Sequence, residues 1–160
     1  MKNKPIDKFK CSWLESNPKF TKNSLLIKNY QVMQKWEDDY MKELASVVTL
    51  KGGDVLEVGF GLGISAGYIQ NSRRVHRHTI IEAHPQVVKY AISLFNKQLR
   101  SGRMNILQGF WEDILLYFKD KQFDGILFDT SPITKEKLFF HYFPFFKEAH
   151  RLLKKGEIGV

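Results

Sequence analysis

Glu57, Gly59, Gly61 and Gly63 stand at alternate positions in Val55-Leu-Glu-Val-Gly-Phe-Gly-Leu-Gly-Ile-Ser65. Glycines so spaced after a carboxylate permit a tight turn and let a flat or charged ligand approach the backbone. The residues before them are short, apolar and β-branched, as in a buried strand, and Ile64 onward reads as a helix. A strand, a glycine turn and a helix N-terminus make a nucleotide-type cradle. Three further polar groups fall at predicted strand ends. Glu82 closes His78-Thr-Ile-Ile-Glu82, about twenty residues beyond the glycines, where a carboxylate can accept both hydroxyls of a ribose. Gly109-Phe-Trp111-Glu112-Asp113 offers an exposed aromatic to stack on a base and an acid for its amino group. Asp129-Thr130 follows the apolar run Phe123 to Phe128. The dinucleotide fingerprint G-x-G-x-x-G needs a glycine where Ile64 stands, which disfavours a nicotinamide cofactor.

A second constellation concerns charge. Met33, Trp36, Tyr40, Leu44 and Val47 recur at three- and four-residue steps, predicting a helix over residues 24–48. On it Met33, Glu37 and Met41 share a face at i, i+4 and i+8. A carboxylate in an apolar stripe is costly unless it reaches water or meets a cation. Asp129 is the other carboxylate with no evident partner. Two carboxylates converging on one point suit a guanidinium, whose planar fork they match. A guanidinium is a poor nucleophile, and paired acids would offset its charge, orient one nitrogen and accept its proton.

The elements that must position these groups alternate. Residues 1–23 read as an irregular, lid-like segment broken by Pro5 and Pro18, and residues 24–160 as one domain. Strands are predicted at 54–58, 78–82, 104–107 and 123–128, with a fifth beginning in Lys154-Lys-Gly-Glu-Ile-Gly-Val160. Helices are predicted from Ile64 to about Gln70, from Pro85 to Leu99 and from His141 to Leu153. Such alternation implies an α/β fold with a parallel sheet flanked by helices.

Composition sets bounds. With 160 residues, 43% hydrophobic and 14% aromatic, the chain can bury one core. It has no apolar run approaching the roughly 20 residues of a membrane span. The start lacks a signal peptide's apolar stretch. Cys11, the one cysteine, cannot bridge internally, so a reduced, cytoplasmic protein is expected. A net charge of +8 raises nucleic acid as a partner. However, the lysines before residue 36 are widely spaced, and Arg151, Lys154 and Lys155 sit at a predicted helix end, where cations complement the dipole. No aromatics interleave with these charges, which disfavours nucleic acid. The five histidines match no ligand motif, so no metal is expected.

The pattern Glu57-x-Gly-x-Gly-x-Gly63 resembles the first motif of class I S-adenosylmethionine methyltransferases. More specifically, VMQKWEDDYM, KGGDVLEVGFG, IIEAHP, GFWED and FDGILFDT together resemble guanidinoacetate N-methyltransferase and its relative, the fungal arginine δ-N-methyltransferase, from about Val32 to Val160. The resemblance implies a Rossmann-like class I methyltransferase fold. That fold has seven strands, so the chain looks like its front portion, lacking the strands after the fifth. It also implies S-adenosyl-L-methionine as cofactor, S-adenosyl-L-homocysteine as product, and a small guanidino acceptor, in a monomer or homodimer.

Carried over residue by residue, Glu37 and Asp129 would grip the guanidino group and act in catalysis. Met33 and Thr130 would lie on the acceptor side. Met41, Gly59, Phe60, Gly61, Leu62, Gly63, Ile64, Ser65, Glu82, Ala83, His84, Trp111, Glu112 and Asp129 would contact the cofactor. Trp13 would match, more loosely, a tryptophan that closes over it. Two features set the acceptor's identity apart: Ser131 stands where guanidinoacetate enzymes have an aromatic, and IIEAHP is closer to the arginine-methylating relatives. Nucleic-acid and protein methyltransferases, and a non-catalytic methyltransferase-like subunit, are the alternatives. Asp129-Thr-Ser-Pro132 lacks the paired prolines and following aromatic of nucleic-acid amino-methyltransferases. The glycines and Glu82, usually lost in non-catalytic subunits, are present.

Overall fold

The computed structural model describes residues 8–130 and 143–160. A short helix, α1 (Lys8–Leu14), precedes an antiparallel meander of β1 (Lys19–Phe20), β2 (Ser24–Ile27) and β3 (Tyr30–Gln34). A 3-10 turn, Lys35–Glu37, leads into α2 (Asp38–Val48). There follow β4 (Gly53–Val58), α3 (Ile64–Asn71), β5 (Val75–Glu82), α4 (Pro85–Leu94), α5 (Asn96–Arg100) and β6 (Met104–Gln108). Next come α6 (Trp111–Ile114), a second 3-10 turn (Leu115–Tyr117), β7 (Phe123–Phe128), α7 (Phe143–Leu152) and β8 (Leu153–Gly159).

Strands β4 to β8 form one parallel sheet in the order β6-β5-β4-β7-β8. The chain builds outward from β4 to one side and then returns to the other, so the order reverses between β4 and β7. Ligands of such sheets bind beyond the carboxyl ends of the strands at that reversal. Val55, Leu56, Glu57 and Val58 are all buried because helices cover both faces, which explains a run without polar alternation. This is the expected α/β, Rossmann-like class I methyltransferase fold, here with five parallel strands among the described residues.

The region before β4 departs from expectation. The helix predicted over 24–48 is a hairpin followed by a helix that starts only at Asp38. Leu25 and Ile27 are buried while Ser24 and Leu26 are not, a period of two. Lys28 and Asn29 turn the chain with φ of 52° and 62°, the left-handed backbone of a two-residue hairpin, between paired Ile27 and Tyr30. Trp36 and Tyr40, which looked like core by spacing, are 75% and 59% exposed. Met33, Glu37 and Met41 therefore lie on a strand, a turn and a helix rather than on one helical face.

Smaller differences follow the same logic. The first segment, expected to be irregular, carries α1 and β1. The helix predicted to Leu99 breaks at Phe95 into α4 and α5. Residues 111–117, read as a loop, form a short helical stretch. The predicted start of the last helix at His141 lies outside the described residues. Arg151 does more than complement a dipole. Its guanidinium donates to the Leu115 and Phe118 carbonyls and pairs with Asp120 and Glu148, fastening α7 beneath the chain that leads into β7. Among the described residues no helix is long and apolar enough to cross a membrane.

The sheet's centre presses closely on α2. A Cβ placed on Gly125 of β7 would lie 2.1 Å from the Val48 carbonyl oxygen, a backbone atom that cannot yield without moving the helix. Gly125→Ala should therefore destabilise the fold by about 2–3 kcal/mol, as overpacking does. Urea unfolding at neutral pH checks this, and an unchanged midpoint would mean that α2 shifts freely.

Candidate active site

The turn after β4 is built from glycines in left-handed backbone: φ is 93° at Gly59, 56° at Gly61 and 76° at Gly63. At Gly59 the requirement is also steric, since a Cβ would meet the Asp129 carbonyl at 2.1 Å. This lets the ends of β4 and β7 touch, where the Asp129 N–H donates to the Val58 carbonyl at 3.0 Å. At Gly61 a Cβ would strike the Met33 sulfur at 2.7 Å, so β3 lies directly on the turn, and the Leu62 N–H points at that sulfur from 3.2 Å.

Glu82, at the end of β5, clamps the turn. One carboxylate oxygen accepts the Phe60 N–H at 3.0 Å and the other the His84 N–H at 2.8 Å. Burial raises this carboxyl above its ordinary range, partly opposed by backbone donors from His84, Phe60, Ala83 and Gly61. Two oxygens offer about four acceptor positions, so two amides leave room for further donors.

These groups surround one cavity at the carboxyl ends of the strands. Of the residues singled out in the sequence, Trp13, Met33, Gly59, Gly61, Glu82, Ala83, Trp111, Glu112, Asp129 and Thr130 line it. Phe60, Leu62, Gly63, Ile64, Ser65, His84, Glu37 and Met41 do not. Phe60 turns its ring into the core against Tyr90 and Phe95. Met41 is fully buried. Ser65 is buried and donates to Glu57.

His84 caps α4, its Nδ1 accepting the Gln86 N–H at 3.2 Å, which leaves Nε2–H to donate to the Ser16 carbonyl at 3.0 Å. Burial pushes this imidazole down, consistent with a neutral ring. It thereby moors the segment after α1, whose Trp13 packs edge-on against it. Lys10 pairs with Glu112 at 3.4 Å and sits 4.2 Å over the Phe110 ring, holding α1 across the cavity's rim. The hairpin residues Leu25, Ile27 and Val32 add an apolar wall. Sequence reading missed that wall because it placed them on a helix; the signal was the period of two beside Lys28-Asn29.

Trp111 was expected to be exposed. It is 8% exposed, with its ring held edge-on by Phe128 and Phe145 at 5.6 and 5.5 Å. Beside it, the Glu112 Oε2 atom is buried with no hydrogen-bond partner among the described residues. An orphaned carboxylate oxygen is costly, and a ligand donor arriving there would relieve it.

Asp129 stands at the mouth of β7. Its carboxyl is raised to about 6, chiefly by burial and further by the charges of Glu37 and Glu57. Glu37 does not line the cavity; its Oε1 accepts the Gln34 N–H at 2.7 Å in a capping box, yet its field reaches Asp129. Ser131 lies outside the described residues. No cluster of three or more potential metal ligands occurs among the described residues.

Asp129 makes stability depend on pH. Its folded carboxyl titrates above the ordinary value of 3.8, so between about pH 4 and 6 the folded chain holds the extra proton. Stability from this group is present below that window and is lost as pH rises through it. Asp129→Asn cannot ionise and should be more stable than the parent by about 2 kcal/mol at pH 7.5, the gap closing near pH 4. Thermal unfolding at the two pH values measures this; an equal gap at both would assign the effect to packing.

The guanidinoacetate N-methyltransferase family profile matches residues 5–160. Among curated relatives, "Protein arginine N-methyltransferase 2" of Aspergillus oryzae is 37% identical over 127 residues, covering 74% of this chain and 29% of that protein. The protein of the same name from Saccharomyces cerevisiae is 34% identical over 129 residues, covering 74% of this chain and 30% of its own length. The chain thus spans under a third of the length of these relatives. Among solved structures, spermidine synthase from Thermotoga maritima superposes with a TM-score of 0.68 at 20% identity, over 85% of this chain and 48% of that one. An O-methyltransferase from Bacillus cereus, solved in complex with SAH, gives 0.59 at 20% identity over 79% and 56%. These two likenesses are of fold.

Proposed function

Because the chain belongs to the guanidinoacetate N-methyltransferase family, we propose that it is an S-adenosylmethionine-dependent N-methyltransferase acting on the guanidino group of a small molecule, guanidinoacetate-like or arginine-like. The observation that carries this reading is Asp129, a carboxyl lining the cavity at the sheet's reversal point and raised to about 6. A group so placed accepts a proton near neutral pH, whereas an ordinary aspartate is too weak a base.

S-adenosylmethionine, when bound, supplies an electrophilic methyl group on a sulfonium. The cavity's residues suit such a cofactor. Glu82 retains acceptor positions for ribose hydroxyls, and the orphaned Glu112 oxygen suits an amino donor on a purine. Trp111, fixed by its aromatic neighbours, gives a rigid wall for a planar base. Trp13 and Lys10 close the rim and exclude water. Toward the acceptor, Asp129 binds one edge of the guanidinium, orients a nitrogen and takes its proton. Glu37, with one oxygen held by the turn, adds negative field that favours the cation. The apolar hairpin wall sheds water from the acceptor and strengthens both interactions.

Losing Glu82 removes two backbone acceptors and the ribose contacts together. Glu82→Ala should weaken S-adenosylhomocysteine binding about 30- to 150-fold, the loss of 2–3 kcal/mol typical of charged hydrogen bonds. Calorimetry on the folded variant measures it, and unchanged affinity would remove Glu82 from the site.

The acceptor is tested by a methyl-transfer assay across guanidinoacetate, arginine, agmatine, an arginine-containing peptide and an RNA pool, with mass spectrometry of the product. A small guanidine should be the best acceptor. The relatives' name favours a second reading, an arginine side chain in a protein, and the peptide arm decides it. Asp129→Asn should depress kcat by at least about 100-fold, the span attributed to a positioned proton acceptor. KM should change less, and kcat/KM of the parent should fall as pH drops through about 6. Near-normal turnover by Asp129→Asn would overturn the assignment.

A further inference from the structure

Beneath the glycine turn runs a chain of four buried polar side chains, none of which lines the cavity. The Ser65 hydroxyl, on the first turn of α3, donates to Glu57 Oε1. Glu57 Oε2 lies 2.9 Å from His78 Nε2 on the neighbouring strand β5, and His78 Nδ1 lies 3.1 Å from Gln70 Nε2 on α3. Glu57 and His78 have no exposed surface, Ser65 is 2% and Gln70 6% exposed. A carboxylate so buried is expensive unless it is paired.

The approach of Glu57 to His78 is that of an ion pair rather than of an aligned hydrogen bond, because neither Oε2 nor Nε2 satisfies hydrogen-bond geometry. Coulombic attraction tolerates that misalignment when the ring carries its second proton. The far end of the chain can accommodate this proton. Gln70 Oε1 is buried without a partner. The two ends of an amide are interchangeable by rotation, so Gln70 donates to Nδ1 of a neutral ring or accepts from Nδ1–H of a charged one. No other charge disturbs the ring among the described residues packed on it. From β4 it meets Glu57, and from α3 the uncharged Ser65 and Gln70. From β6 it meets the Arg103 carbonyl, the Arg103 guanidinium donating instead to the Ser72 carbonyl.

We propose that Glu57 and His78 are positioning residues that share one additional proton, and that this proton balances the negative charge directly beneath Asp129. Glu57's charge acts on Asp129 from below while Glu37's acts from the side, and both hold the Asp129 proton more tightly. A proton on His78 offsets the first of these. The chain thus sets how readily Asp129 gives up its proton without touching acceptor or cofactor. The inference rests on the reading of Asp129 as proton acceptor, and its test separates the two.

The test follows the Asp129 carboxyl directly, by carbon-13 NMR titration of the cofactor-free protein, the resonance being assigned by its loss in Asp129→Asn. Glu57→Gln keeps the side chain's shape but removes its charge, and should lower the titration midpoint. His78→Gln keeps an N–H toward Glu57 but cannot take up the proton, and should raise it. A purely structural role would move both in the same direction or neither. Should Glu57→Gln fail to fold, Gln70→Met removes the group that accommodates the proton and should raise the midpoint as His78→Gln does. Opposite shifts support the proposal, as do parallel rises in the two substitute variants. Midpoints unchanged, or moved in one direction by Glu57→Gln and His78→Gln alike, overturn it. If Asp129→Asn keeps its turnover, the functional reading fails while the titration still decides the proton sharing. If Asp129→Asn is inactive and the midpoints stay fixed, the proton sharing alone fails.

Discussion

The carboxylate of Glu82 binds the ends of two strands into one surface. Its oxygens take the Phe60 amide from the turn after β4 and the His84 amide from the turn after β5. Charge-assisted bonds to backbone donors are short and directional, so they fix the turn's shape as well as its place. Given that shape, the remaining contacts follow. The glycine turn can lie against Met33, the β4 and β7 ends can touch at Gly59 and Asp129, and His84 can moor the segment after α1. Glu82 is held by burial well above an ordinary carboxyl while its amide donors resist that rise. Such tension is typical of a residue kept for a ligand rather than for stability.

The same balance governs the acceptor side. Asp129 sits where burial and two neighbouring carboxylates all oppose its ionisation, and the fold tolerates this because a cationic acceptor would reverse the sign of the interaction. The protein therefore gives up stability at neutral pH for a reactive carboxyl. The polar chain under the turn belongs to this arrangement, for it places one of those opposing charges where no ligand can reach it.

Much of the frame was legible because its signals are local. Strands β4, β5, β6 and β7 are apolar runs closed by glycine or acidic turns, and their alternation with helices permits few topologies. The region from Ser24 to Val48 was misread. Residues three and four apart in a strand, a turn and a helix can mimic one helical stripe, and Lys28-Asn29 is a weaker hairpin mark than Asn-Gly. Trp111 was misplaced for another reason, since its burial comes from Phe128 and Phe145, far along the chain.

The sequence by itself determined which residue types stand at the strand ends, because the glycine spacing and the acids after apolar runs are written in consecutive residues. Glu57-x-Gly-x-Gly-x-Gly63, Glu82, Glu112 and Asp129 needed no partner to be noticed. Only the tertiary structure decided which of them face a common cavity and which serve one another. Ser65 turned to Glu57, His84 to Ser16, and Glu37 to Gln34, whereas Glu82 and Asp129 kept the cavity. Those choices depend on distances between strands separated widely in the chain. The raised Asp129 carboxyl likewise depends on burial and on the charges of Glu37 and Glu57, which no local pattern encodes.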